Sequence, residues 1–163
     1  MAMLSRYLGD VRRNHALEHA TVQLLLAKLG PDLRLVGRAS GDGFFIYGNV
    51  PTDALTQCAK EGLTRLQSGE AFWAVTPLCG TNIATAGVMT AIASLAVAGK
   101  GRKGHLGGAI AAAMIAATAA QPIGRLIQQY LTTSPDLVGT EIVSVETRSN
   151  GRLHKVRTRR QAA

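Results

Sequence analysis

The chain has 163 residues, of which 47% are hydrophobic, 17% charged and only 4% aromatic, with a formal net charge of +8. That length gives one ordinary domain with a core and excludes two large ones, while the charge suits nucleic acid, anionic lipid or an acidic partner chain without choosing among them. Cys58 and Cys79 do not form a spaced disulfide framework and the opening "MAMLSRYLGDVRRN" lacks an apolar signal core, so the thiols are read as reduced.

Leu4, Leu8, Val11, Val22 and Leu26 recur at helical spacing and "GPD" supplies a stop, predicting a first helix over 4–29 with these residues on its buried stripe. "LRLVGRAS" and "GFFIYGNV" flank Gly41-Asp42-Gly43 and predict a β-hairpin. Thr52 or Asp53 is placed to cap a second helix, with Leu55, Ala59, Gly62, Leu63 and Leu66 along one side and "SGE" as its end. "AFWAVTP" is predicted as a third strand.

Past Glu70 the chain changes character. Residues 71–99 hold no charged side chain, and after the basic knot "KGRKG" and His105 the next charge is Arg125. Two apolar helices of about 17 to 21 residues follow, near the roughly 20 that a bilayer core requires. The second carries a small residue every fourth position, Gly104, Gly108, Ala112, Ala116, Ala120 and Gly124, and the first has Ala86, Thr90, Ser94 and Ala98. Such rows let helices pack closely in lipid, which predicts a transmembrane hairpin over 81–131. The knot Lys100, Arg102, Lys103 at its tip opposes the positive-inside rule, but the larger positive count in the termini puts both on the cytoplasmic side of a bacterial inner membrane. Trp73 and Tyr130 serve as interfacial anchors or, for Trp73 equally, as core. "TEIVSVETR", the turn Ser149-Asn150-Gly151 and "RLHKVRTRR" then predict a second β-hairpin. The expected class is α+β: two helices with a small antiparallel sheet of four or five strands (1–80 and 135–163), interrupted by the hairpin.

Chemistry concentrates on the first helix. His15, Glu18 and His19 are spaced i, i+3 and i+4, so they share one face. Three uses fit: a polar cluster hydrogen-bonded between helix and sheet, a metal or cofactor site that takes Zn2+ or, through neutral imidazole, haem or chlorin, and a hydrolytic site with Glu18 as base. The string His15-x-x-Glu18-His19 resembles the signature of the inverzincin metallopeptidases, which implies His15 and His19 as metal ligands, Glu18 as catalytic base and a downstream glutamate as third ligand. Glu61 and Glu70 are the nearest glutamates, one on the polar side of its helix and one at a break.

Cys79 and Asn82 lie where the sheet hands over to the first apolar helix. Cys79 is a candidate ligand or nucleophile, and Thr81 or Asn82 a helix cap. Arg148, Arg152, Lys155, Arg157, Arg159 and Arg160 make the tail basic. Without interleaved aromatics they suit phosphate or anionic headgroups better than nucleic-acid bases, or simply a solvated strand edge. His105 reads as a wetted interfacial residue.

The order "NHALEHATV", "GFFIYGNV", "RLQSGE", "PLCGTN", an Ala/Gly-rich hairpin and "YLTTS" resembles a family of small bacterial membrane proteins with no assigned function. That resemblance covers most of the chain and implies the same topology. In that family a histidine often precedes the proline of "P-x-C-G-T-N", and here Thr76 stands in its place. The expected role is an accessory subunit of a larger membrane assembly, its hairpin packing on partner helices or on itself in lipid, with a metal on the histidine helix. A minimal membrane zinc hydrolase is the alternative, and polyanion or lipid binding through the tail a further one.

Overall fold

A computed structural model of the protein describes residues 2–98 and 106–161. The basic knot, Gly104 and His105 fall outside them. The chain is α+β and divides into two compact units, one running to Thr76 and resuming at Gln129, the other spanning Pro77–Gln128.

The first unit holds α1 (Ala2–Leu29), β1 (Leu35–Ser40), β2 (Gly43–Gly48), α2 (Thr52–Gln67), a 3-10 turn (Ala71–Ala74), β3 (Thr140–Arg148) and β4 (Leu153–Arg160). The strands form one antiparallel sheet in the order β1-β2-β4-β3. Both expected hairpins are present. Gly43 has φ +135 and its missing side chain leaves room for the Val156 carbonyl, so only glycine fits that corner. At the other turn Ser149, Asn150 and Gly151 all take positive φ, which Asn and Gly tolerate best.

Alternation along the strands puts Phe44, Ile46 and Val156 on the inner sheet face, against Leu17 and Leu25 of α1 and Leu55, Cys58, Ala59 and Leu66 of α2. The two helices approach where Gly62 faces Ala20: a Cβ at Gly62 would stand 3.1 Å from that of Ala20.

Three expectations need correction. Leu4 and Leu8 are exposed, because α1 begins before the rest of the unit covers it; from Ala16 to Val22 it is buried on every side instead of along one stripe. "AFWAVTP" is not a strand: the Trp73 N–H donates to the Glu70 carbonyl at 3.2 Å, closing a local turn, and the sheet stops at four strands. Neither Thr52 nor Asp53 caps α2. Pro51 occupies the cap position with no side-chain cap bond, and the Thr52 hydroxyl pairs with that of Thr147 at 2.8 Å.

In the second unit α3 (Gly80–Ala98) and α4 (Leu106–Ile127) pack antiparallel; a π turn (Gln128–Thr132) follows α4 in the chain and belongs to the first unit from Gln129 on. Val97 lies 3.2 Å from where a Cβ at Gly108 would be, and at the far end Gly124 makes room for Asn82. The small row Ala116, Ala120 and Gly124 is buried in the seam, as its spacing predicts. Ile83, Val88, Ile92, Leu95, Ile110, Met114 and Ile115 point the other way and are exposed.

Candidate metal centre

His15 and His19 stand one turn apart on α1, their rings edge to face with centroids 4.3 Å apart. The ring Nδ1 of His15 lies 3.0 Å from the Thr132 carbonyl oxygen, and that of His19 lies 2.7 Å from the Ala74 carbonyl oxygen. A carbonyl can only accept, so each Nδ1 carries the proton and donates, and in the neutral ring the lone pair is then on Nε2. Fixing Nδ1 on a backbone carbonyl is how proteins present Nε2 to a metal.

Those two carbonyls are themselves held by α1. Arg12, one turn before His15, donates to the carbonyls of Tyr130 and Thr133 at 3.0 and 3.1 Å and so sets the segment that offers Thr132. Gln23, one turn after His19, donates to the Trp73 carbonyl at 3.0 Å and sets the turn that offers Ala74. Arg12, His15, His19 and Gln23 share one helix face, and their i+3 and i+4 spacing was the available signal for the two supports.

The ligand nitrogens of the pair lie within 4.8 Å of each other. At a tetrahedral zinc two bonds of about 2.0–2.1 Å set their nitrogens about 3.4 Å apart, so the rings must turn toward each other for the pair to hold one ion, and with that movement the pair could hold a metal. Glu18 is buried, with Oε2 3.9 Å from His15 Nε2. Thr132 Oγ1 and Arg12 Nε, in the residues that orient His15, are buried without a hydrogen-bond partner. Neither glutamate named as a third ligand is available: Arg65 pairs with Glu61 at 2.6 Å and Glu70 at 3.4 Å, and Trp73 Nε1 donates to Glu70 at 3.0 Å.

In the second unit Cys79 is buried and its Sγ accepts the Thr81 N–H at 3.4 Å, the capping position expected of Thr81 or Asn82. Because α3 starts at Gly80, Asn82 falls in its first turn and faces α4. There its side chain donates to the Pro77 carbonyl at 3.0 Å and accepts from Gln128 at 2.9 Å. Asn82 therefore locks the helix pair together and does not cap.

The tail cations are largely paired within their own unit. Arg148 meets Glu146, Lys155 and Arg157 meet Asp42, Arg159 meets Glu141 and Arg160 meets Asp136, at 2.7 to 3.5 Å. Lys155 is buried over the Phe45 ring, while Arg152 is exposed. The Lys155 hydrogen bond is the main cause holding the Asp42 carboxyl below its ordinary range, as Arg157 and then Arg148 do for Glu146.

Fold and site together define an α+β protein with an apolar two-helix hairpin and an oriented histidine pair on its first helix. The chain belongs to the family described as a domain of unknown function (DUF6391), whose model matches residues 10–145. That span includes His15, Glu18 and His19 on α1 and both apolar helices, and it stops before the basic β4. An uncharacterized protein of Picosynechococcus sp. (strain ATCC 27264 / PCC 7002 / PR-6) is 34% identical over 171 aligned positions, covering 97% of this chain and 83% of that protein. No solved structure matches.

Proposed function

We propose that the protein is a small integral subunit of a bacterial inner-membrane assembly, its hairpin in hydrocarbon, both termini cytoplasmic, and a zinc ion held through His15 and His19. The observation that carries this reading is the inside-out hairpin: small and carboxamide side chains face inward, large apolar ones face out. In water, each exposed Leu, Ile, Val or Met would forgo roughly 1.5–3 kcal/mol of burial; in lipid it forgoes nothing. The apolar helical runs of 19 and 27 residues are long enough to cross. Gly80, Ala84, Gly87 and Ala91 form a second, exposed row of small residues on α3, with open space where a Cβ at Gly80 or Gly87 would stand, which suits packing against a further helix.

The test is purification of the full chain in detergent from membranes, with elemental analysis and mass spectrometry of whatever accompanies it. One zinc per chain, lost in His15→Ala and in His19→Ala, and a stoichiometric membrane partner are expected. A metal-free chain that purifies alone would overturn the assignment, and a Soret or chlorin absorption band in place of zinc would replace the ion with a tetrapyrrole. Cys79→Ser in the same series tests the sequence expectation of a thiolate ligand.

A second reading, a minimal zinc hydrolase, is favoured by the buried Glu18 carboxylate beside His15. A bound zinc would supply Lewis acidity and an activated water, and Glu18 would take the proton. Glu18→Gln should then keep the metal and abolish peptide cleavage; a zinc-loaded wild type that cleaves no peptide in a mixed library refutes the reading.

A further inference from the structure

Gly37 lies in the middle of β1, paired with Ile46, on the sheet face that α1 covers. Its φ is not in the left-handed region, so the backbone does not call for glycine there. Glycine inside a strand weakens it and marks a close approach. The approaching group is Glu18. A Cβ built on Gly37 would overlap Oε1 and Cδ of that side chain and stand 2.8 Å from its Cγ. Glu18 is itself buried, so the carboxylate cannot turn out into water without unpacking α1 from the sheet.

We infer that Gly37 is a positioning residue: the space left by its missing side chain is the seat that holds the Glu18 carboxylate beside His15. A side chain at this position fills the seat and drives the carboxylate along the helix face toward the imidazoles. The seat stands on the geometry alone; its importance for an ion rests on the metal reading of His15 and His19.

The experiment is a double-mutant cycle on the full chain in detergent micelles, comparing wild type, Gly37→Ala, Glu18→Ala and the double variant by thermal unfolding, with Co2+ added in a parallel set. Gly37→Ala should lower the melting temperature in the wild-type background. It should leave it unchanged or raise it once Glu18 is alanine, because Gly-to-Ala at an unstrained strand position otherwise stabilises through the unfolded chain. With cobalt, Gly37→Ala should bind the wild-type amount of metal yet shift its visible absorption in the same sense as Glu18→Gln. Equal temperature shifts in both backgrounds would overturn the inference. A wild type that takes up no cobalt would remove the metal reading and with it any role of Gly37 toward an ion, while a non-additive cycle would still support the seat.

Discussion

Three described histidines differ in which ring nitrogen donates to a backbone carbonyl, and the difference separates structure from candidate chemistry. His154 is fully buried, donates from Nε2 to the Gly151 carbonyl at 3.1 Å and pairs through Nδ1 with the Thr147 hydroxyl at 3.0 Å. Both its nitrogens are used by its own hairpin, as a structural imidazole requires. His15 and His19 carry the proton on Nδ1 instead and present Nε2, the metal-binding arrangement. A second residue-scale consequence concerns pH. The lowered Asp42 and Glu146 carboxyls add stability that is complete above their unfolded values of 3.8 and 4.5 and disappears as pH falls through the lower folded values. Asp42→Asn should therefore flatten the acid limb of the melting temperature. At neutral pH it should cost about 1–3 kcal/mol, because it strips a buried ammonium of its charged acceptor; denaturant unfolding at pH 3, 4 and 7 checks both. The histidine face was legible from i, i+3, i+4 spacing alone. The carbonyls of Ala74 and Thr132 that select the tautomers were not, since backbone partners 55 and 117 residues away leave no side-chain pattern.

At the scale of elements, legibility followed how many neighbours an element has. The β-hairpins were read correctly because each depends on its own turn residues. The apolar helices were read correctly because their composition is uniform and their small residues repeat. "AFWAVTP" misled because strand-forming residues do not make a strand without a free edge to join, and here the segment is tied by Glu70 and Gln23 to turn beside α1. The α3–α4 seam makes a sharp prediction. Gly124 leaves no room for a Cβ, which would meet the Asn82 carboxamide and stand 3.2 Å from its Cα. Gly124→Val should push the helices apart and break the Asn82–Gln128 bond, destabilising the hairpin by about 1–3 kcal/mol as overpacking does. Protease accessibility of the pair in micelles should rise several-fold, whereas Ala111→Val, on the exposed side of α4, should leave it unchanged.

For the whole molecule, the two units obey opposite rules. The first buries Phe44, Leu17, Ile46 and Leu55 and turns ion pairs outward, the ordering water imposes. The second buries Ala120, Gly124, Asn82 and Gln128 and turns out isoleucine, leucine, valine and methionine. A contiguous apolar exterior of that kind marks a surface meant for lipid or protein. Hydrocarbon is the proposed surrounding of this exterior, and sedimentation of the full chain after dilution out of detergent tests that proposal directly. Loss of detergent should aggregate the chain, and addition of vesicles should return it to the membrane pellet in a form that alkaline washing does not release. A chain that sediments in plain buffer as a dispersed monomer of 17.1 kDa contradicts the account.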